Sequence, residues 1–293
     1  MKKILLTLVA ALAVTASWAQ FPDFRRSMSK EQLRAFGIQV ADTIKLWPNG
    51  TPSAYDVSGN PMASRFSEAL LEAYPAQNPC GVAVVQCPGG AYMFESQDNE
   101  GRDLAAWFNA RGIDFYMLQY RLPAGKYTTA PLEDAQEAIR LVRSLGRATK
   151  VGIGGASAGG HLASTAATHY TADSRPDFQI LFYPVISMDK SITHMDSHNC
   201  LIGENASPEL EKKYSNHLQV TKDTPPAIIM LADDDFLVSP LNSAEYYMAL
   251  RKAGVKASMH VYPSGGHGFG CGAYFKYHHE MMQELYRWLE TVK

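Results

Sequence analysis

The chain has 293 residues, 46% of them hydrophobic, and sets 27 Lys and Arg against 29 Asp and Glu for a net charge of −2. With no basic excess to hold a polyanion, nucleic acid is excluded as an expected partner, while length and apolar content suffice for one large core. Cys80, Cys87, Cys200 and Cys271 are too few for a disulfide framework and match no zinc spacing, so no metal site is expected.

The opening "MKKILLTLVAALAVTASWAQ" has two lysines, an apolar run and a small-residue end. That pattern predicts an export signal over residues 1–19 and a mature chain from Gln20, periplasmic or secreted. Losing Lys2 and Lys3 leaves 25 basic against 29 acidic residues, a mature charge of −4. No other segment approaches ~20 uninterrupted apolar residues, so membrane insertion is not expected. With no low-complexity linker, residues 20–293 read as a single domain.

Short β-branched runs then alternate with segments of helical period, the signature of an α/β fold with a mainly parallel sheet flanked by helices on both faces. "CGVAVVQCP" predicts a strand, "EGRDLAAWFNARG" a helix, "IDFYMLQYRLP" a strand and "PLEDAQEAIRLVRSLG" a helix. "KVGIGG" is the next strand and "AGGHLASTAATHY" its helix. "DFQILFYPV" and "PPAIIMLAD" are strands, "PLNSAEYYMALRKAG" a helix, "KASMHVYP" a strand and "YHHEMMQELYRWLETVK" a closing helix. Residues 186–222 are the least regular and are expected to run partly over the edge of the sheet.

One strand-to-helix turn carries chemistry. Gly155-Ala156-Ser157-Ala158-Gly159 fits G-x-S-x-G, in which glycines two places either side of a serine let a tight turn pass its neighbours and present Oγ at its tip. A serine hydroxyl is a weak nucleophile and needs a histidine base oriented by a carboxylate. "YPSGGHGFG" offers His267 among glycines after the last predicted strand, and "LADDDFLVSP" offers Asp233, Asp234 or Asp235 after the one before. The other histidines read as surface or satisfied core residues. "CPGGAYMF" follows an early strand and can present the N–H groups of Gly90 and Ala91 to an oxyanion, with the Ala158 N–H after the nucleophile as the other half of the donor set.

"CPGGAY", "GGASAGGHLA", "FYPVISM", "TPPAIIMLADDDFLV", "NSAEYYMALRKAGV" and "GGHGFG" make the chain resemble the α/β-hydrolase-fold acetyl esterases of gut and rumen bacteria, a branch with acetyl xylan esterases and feruloyl esterases, from about Thr43 to Trp288. The resemblance implies Ser157, Asp235 and His267 as the triad, with Asp235 chosen because the family's acid is followed by x-x-Val, here Phe236-Leu237-Val238. Two positions depart from the family: Ala91 stands where a third glycine is frequent, and Asn99 where a histidine is common and would bear on substrate contacts.

The expected function is a serine carboxylic-ester hydrolase that needs no cofactor and removes O-acetyl groups from plant polysaccharide fragments, the substrate implied by the export signal and the resemblance. Tyr92 is expected to bound a small acyl pocket, and the loop from Glu95 to Glu100 to contact sugar. The alternatives are a feruloyl esterase, a peptidase of the prolyl-oligopeptidase type, since Gly155–Gly160 also fits G-x-S-x-G-G, and an inactive carbohydrate-binding protein on the same fold.

Overall fold

The computed structural model describes residues 42–292, so the export segment expected over 1–19 lies outside the described residues. Within them, eight strands form one sheet: β1 (Asp42–Lys45), β2 (Leu70–Tyr74), β3 (Val82–Cys87), β4 (Asp114–Gln119), β5 (Lys150–Ala156), β6 (Gln179–Phe182), β7 (Ala227–Ala232) and β8 (Ala257–Tyr262). Their order is β1-β2-β4-β3-β5-β6-β7-β8, with β1 and β2 antiparallel and the six from β3 to β8 parallel. The helices are α1 (Pro61–Ser64), α2 (Ala105–Asn109), α3 (Ala130–Ser144), α4 (Ser157–Thr168), α5 (Met195–Ile202), α6 (Pro208–Tyr214), α7 (Leu241–Lys252) and α8 (His278–Leu289).

The strand order decides where a ligand can sit. From β3 the chain steps one way to β4, then crosses back to β5 and continues through β6, β7 and β8. Right-handed crossovers therefore put α2 on one face and α3, α4 and α7 on the other. The helix α8 returns to the face of α2, where Arg111 lies 3.7 Å from the Trp107 ring centroid and 5.4 Å from that of Tyr286. Loops leaving β3 and β5 diverge to opposite faces, and this reversal opens a crevice at the carboxyl ends of two neighbouring strands. Every residue of β3, β6 and β7 is buried, as continuous apolar runs in a parallel sheet should be.

Three features differ from the sequence reading. β1 and β2 are not foreseen: they have four and five residues, their faces are mixed, and they gain stability only by extending an existing sheet. The helix expected over "EGRDLAAWFNARG" begins instead as a 3-10 turn at Arg102–Leu104. Its first residues are drawn away by other partners, Arg102 pairing with Glu72 at 2.6 Å and Asp98 at 3.0 Å. Residues 186–222 are not an irregular edge. They contain α5, α6 and a turn at Asn216–Leu218, and the turn docks on α4, with Asn216 Nδ2 donating to His161 O, Ser164 Oγ and Thr165 Oγ1.

The loop between β3 and α2 buries a carboxyl. Glu95 Oε1 accepts from Tyr120 N at 2.8 Å and Oε2 from Gln97 Nε2 at 2.8 Å, and burial pushes this group from an ordinary 4.5 up to about 8. A carboxyl whose pKa is higher in the folded chain holds its proton more tightly there, so folding loses stability as pH rises from 4.5 through about 8. Glu95→Gln keeps the acceptor for Tyr120 N and removes the titration. Relative to this variant, the wild type should lose melting temperature progressively between pH 5 and pH 9, values set by that shift. A difference between the two proteins that is constant with pH would refute the assignment.

Candidate active site

The sheet delivers Ser157 to the crevice on a strained turn. β5 ends at Ala156 and α4 begins at Ser157, whose φ of +54° lies in the left-handed region that a non-glycine residue avoids. The flanking glycines allow it sterically: a Cβ on Gly155 would collide with Gly159 O, and one on Gly159 with Cys87 O and Pro88 O of the neighbouring loop. The Ser157 carbonyl accepts from Val185 N at 3.1 Å, fixing the turn to the segment after β6.

Two further loops converge on Oγ. His267, after β8, places Nε2 2.9 Å from Ser157 Oγ and Nδ1 2.7 Å from Asp235 Oδ2. Asp235 is buried, and its other oxygen accepts from Leu237 N at 3.0 Å and Val238 N at 2.9 Å. A carboxylate can only accept, so Nδ1 carries the proton and donates to Asp235, which leaves Nε2 free to accept from the serine hydroxyl. Of the three consecutive acids, only Asp235 reaches the imidazole. Asp233 is exposed, and Asp234 Oδ1 accepts from Gly265 N and Gly266 N, each at 2.8 Å, clamping the turn that leads into His267. Sequence reasoning assigned Asp234 no such part, because a clamp on backbone N–H groups leaves no spacing signature.

The loop after β3 supplies donors. Gly90, Ala91 and Tyr92 have φ of 129°, 57° and 59°, so Ala91 takes the left-handed backbone that a glycine would take there. Met93 N and Phe94 N both donate to Gly90 O, at 2.9 and 3.0 Å. Among the described residues neither Gly90 N nor Ala91 N donates a hydrogen bond. Ala158 lies in the first turn of α4, where N–H groups have no intrahelical acceptor. Gly90, Ala91 and Ala158 thus provide unengaged donors next to Ser157.

Tyr92 is turned away from the place expected of it. Its ring is 1% exposed, and its hydroxyl donates to His161 Nδ1 at 2.8 Å, while His161 Nε2 donates to Tyr214 O at 2.8 Å. The left-handed backbone at Ala91 and Tyr92 rotates the side chain into the core, so Tyr92 presents no ring face to a substrate. Burial pushes His161 down to about 4, a neutral core histidine.

Several polar side chains from Glu95 to Glu100 are likewise engaged within the chain, Gln97 with Glu95 and Gln119 and Asp98 with Arg102. Glu95 and Glu100 are buried, and Asn99 donates from Nδ2 to Gly268 O at 2.8 Å, bracing the histidine loop. The exposed groups around the site include large apolar side chains, Met93, Phe94, Met195, Phe236 at 87% and Tyr274 at 67%, as well as Asp233 and Asp234. His194, at the start of α5, sits close enough for the charges of His267 and Asp235 to act on it, and its own pKa is pushed down chiefly by burial. Among the described residues no group of three or more His, Cys, Asp or Glu could hold a metal ion, and no helix is long and apolar enough to cross a membrane.

The acetylxylan esterase of Xylanibacter ruminicola is 41% identical over 234 residues, a match covering 77% of this chain and 48% of that protein. Endo-1,4-beta-xylanase B of Butyrivibrio fibrisolvens is 34% identical over 205 residues, covering 62% of this chain and 31% of that one. The chain thus spans about half, or less, of the length of these curated relatives. Among solved structures, an acetyl ester-xyloside bifunctional hydrolase from Caldicellulosiruptor lactoaceticus is 33% identical with a TM-score of 0.77, over 86% of this chain and 97% of that one. Residues 84–270, which hold the serine turn, the acid and the histidine, match the family described by the alpha/beta hydrolase fold, and the chain belongs to that family.

Proposed function

We propose that the protein is a serine esterase that removes O-acetyl groups from xylan-type polysaccharide fragments through an acyl-serine intermediate. The observation that carries this reading is the unbroken chain from Ser157 Oγ through His267 to Asp235, at 2.9 and 2.7 Å, beside unengaged backbone donors. Ser157 Oγ attacks the acetyl carbonyl carbon as its proton passes to His267 Nε2. Asp235 stabilises the imidazolium, and the N–H groups of Gly90, Ala91 and Ala158 receive the oxyanion. The intermediate collapses when His267 returns the proton to the departing sugar oxygen, and a water repeats the sequence to release acetate.

The substrate class rests on the relatives whose names specify acetylated xylan and xylosides. A polymer too large to enter a cell calls for an exported enzyme, the role the segment over residues 1–19 would serve. In place of Tyr92 and the Glu95–Glu100 loop, the sugar would meet two aromatic rings beside the histidine loop. Phe236 adjoins Gly266, where a Cβ would lie 3.6 Å from its ring, and the Tyr274 hydroxyl donates to Gly268 O at 3.2 Å. Solvent-facing rings so near the reacting atoms favour the apolar face of a pyranose.

Ser157→Ala should fold normally and lose activity by roughly 10⁴-fold or more, with a fluorophosphonate labelling the wild type only. Asp235→Asn should cost about 10⁴-fold by permitting the wrong tautomer, and Asp234→Ala about 10- to 100-fold by loosening the turn before His267. Equal labelling of wild type and Ser157→Ala would remove the mechanism. For the substrate, Phe236→Ala should raise KM for acetylated xylo-oligosaccharides about five- to tenfold while changing kcat/KM for 4-nitrophenyl acetate by less than about twofold. Equal losses on both substrates would place Phe236 outside sugar binding, and a preference of the wild type for methyl ferulate would select the feruloyl esterase alternative.

A further inference from the structure

We propose that Glu100 and Tyr183 form a buried tie that sets the oxyanion loop and the histidine loop at a fixed distance from each other, making both positioning residues for the ester hydrolysis proposed above, on which this inference rests. Glu100 is 4% exposed and Tyr183 1%. Glu100 Oε2 accepts from Gly89 N at 2.8 Å, immediately before the donors Gly90 and Ala91. Its Oε1 accepts from the Tyr183 hydroxyl at 2.8 Å, and that same hydroxyl oxygen accepts from Gly270 N at 2.7 Å, three residues past His267. A single chain of three hydrogen bonds thus runs from one catalytic loop to the other.

The attachments at either end keep the tie from acting as a loose strut. The Glu100 carbonyl accepts from Gln86 Nε2 at 2.9 Å, anchoring it to β3. Tyr183 N donates to Met230 O of β7 at 2.7 Å, and the residue is held at a φ of +35°. The Tyr183 ring centroid lies 4.6 Å from that of His267, so the residue that receives the tie also supports the imidazole face. Both donors aim at the carboxylate as an acceptor, the arrangement that suits its ionised form. Burial raises the Glu100 carboxyl, and the hydrogen bonds from Tyr183 and Gly89, then the nearby His267, draw it partly back. A carboxylate taken out of water without a charged hydrogen-bond partner is costly, and an apolar pair would fill the same space at lower cost. What the apolar pair could not do is aim Gly89 and Gly270 at the same time.

The test follows 4-nitrophenyl acetate turnover in Tyr183→Phe, which keeps the ring on His267 and deletes the hydroxyl, and in Glu100→Gln, whose amide cannot accept from the phenol without reversing its own orientation. Each should lower kcat by about 10- to 100-fold with KM within about twofold, because donors and base are displaced while the binding surface is unchanged. The double variant should fall no further than about threefold below the lower single variant, since both changes cut the same tie. If Glu100→Gln does not fold, Tyr183→Phe alone decides. A folded Tyr183→Phe with wild-type kcat, a loss confined to KM, or losses that multiply in the double variant would overturn the tie. A wild type that neither turns over the ester nor reacts with a phosphonate sinks the esterase reading and the tie together, whereas an active wild type matched by its variants sinks the tie alone.

Discussion

A serine held at a φ of +54° is the constraint from which the site is built. Such a backbone costs on the order of 1–3 kcal/mol and persists only where the surroundings over-determine it. Here β5, locked between two parallel neighbours, fixes one side of Ser157, and α4 fixes the other. The close passage of Gly155, Gly159 and the loop after β3 follows, because the turn closes only where no Cβ intrudes. Of the five described non-glycine residues with positive φ, four (Ala91, Tyr92, Ser157 and Tyr183) belong to the segments that meet at the serine. Strain is thus concentrated at the place where three loops must stay aligned to within a hydrogen bond.

Those loops contain little regular structure, and buried polar contacts give them rigidity instead. Asp235 takes two backbone N–H groups of its own loop, Asp234 two from the histidine turn, and Asn99 reaches from the oxyanion side to Gly268 O. Each of these bonds has one end on a main chain, so each restricts a loop rather than a side chain. The result is a centre in which Asp235, His267 and Ser157 are held in one hydrogen-bonded line by contacts of the chain itself, the condition under which fixed dipoles can act on a developing charge without reorganising.

How much of this can be read in the sequence depends on what kind of contact makes it. The serine turn is legible because its steric demand fixes residue types at fixed spacing, and the parallel sheet because buried strands need unbroken apolar runs. Tyr92 is misread because its direction hangs on the sign of φ at Ala91 and Tyr92, and neither residue type signals a left-handed backbone. Glu95 and Glu100 are misread for a related reason. A glutamate in a loop is ordinarily solvated, and only the partners Tyr120 N, Gly89 N and Tyr183, brought from 11 to 83 residues away, turn these two inward. Asp234 shows the same limit, since nothing in a run of three acids tells which one finds a histidine and which a pair of amides.

With Glu95 and Glu100 turned inward, the most exposed large side chains beside the histidine loop are rings with few attachments of their own. Phe236 projects from the acid loop between Asp235, which binds the imidazole, and Leu237, whose N–H binds Asp235. Its backbone is held between these two bonded residues while its side chain is 87% exposed. Tyr274 is similar: a single hydroxyl contact with Gly268 O accompanies a ring that is largely in solvent. A change of either ring alters the mouth of the site without touching the hydrogen bonds among Ser157, His267 and Asp235. The fold therefore separates strained, hydrogen-bonded loops that hold Ser157, His267 and Asp235 from exposed rings attached to those same loops.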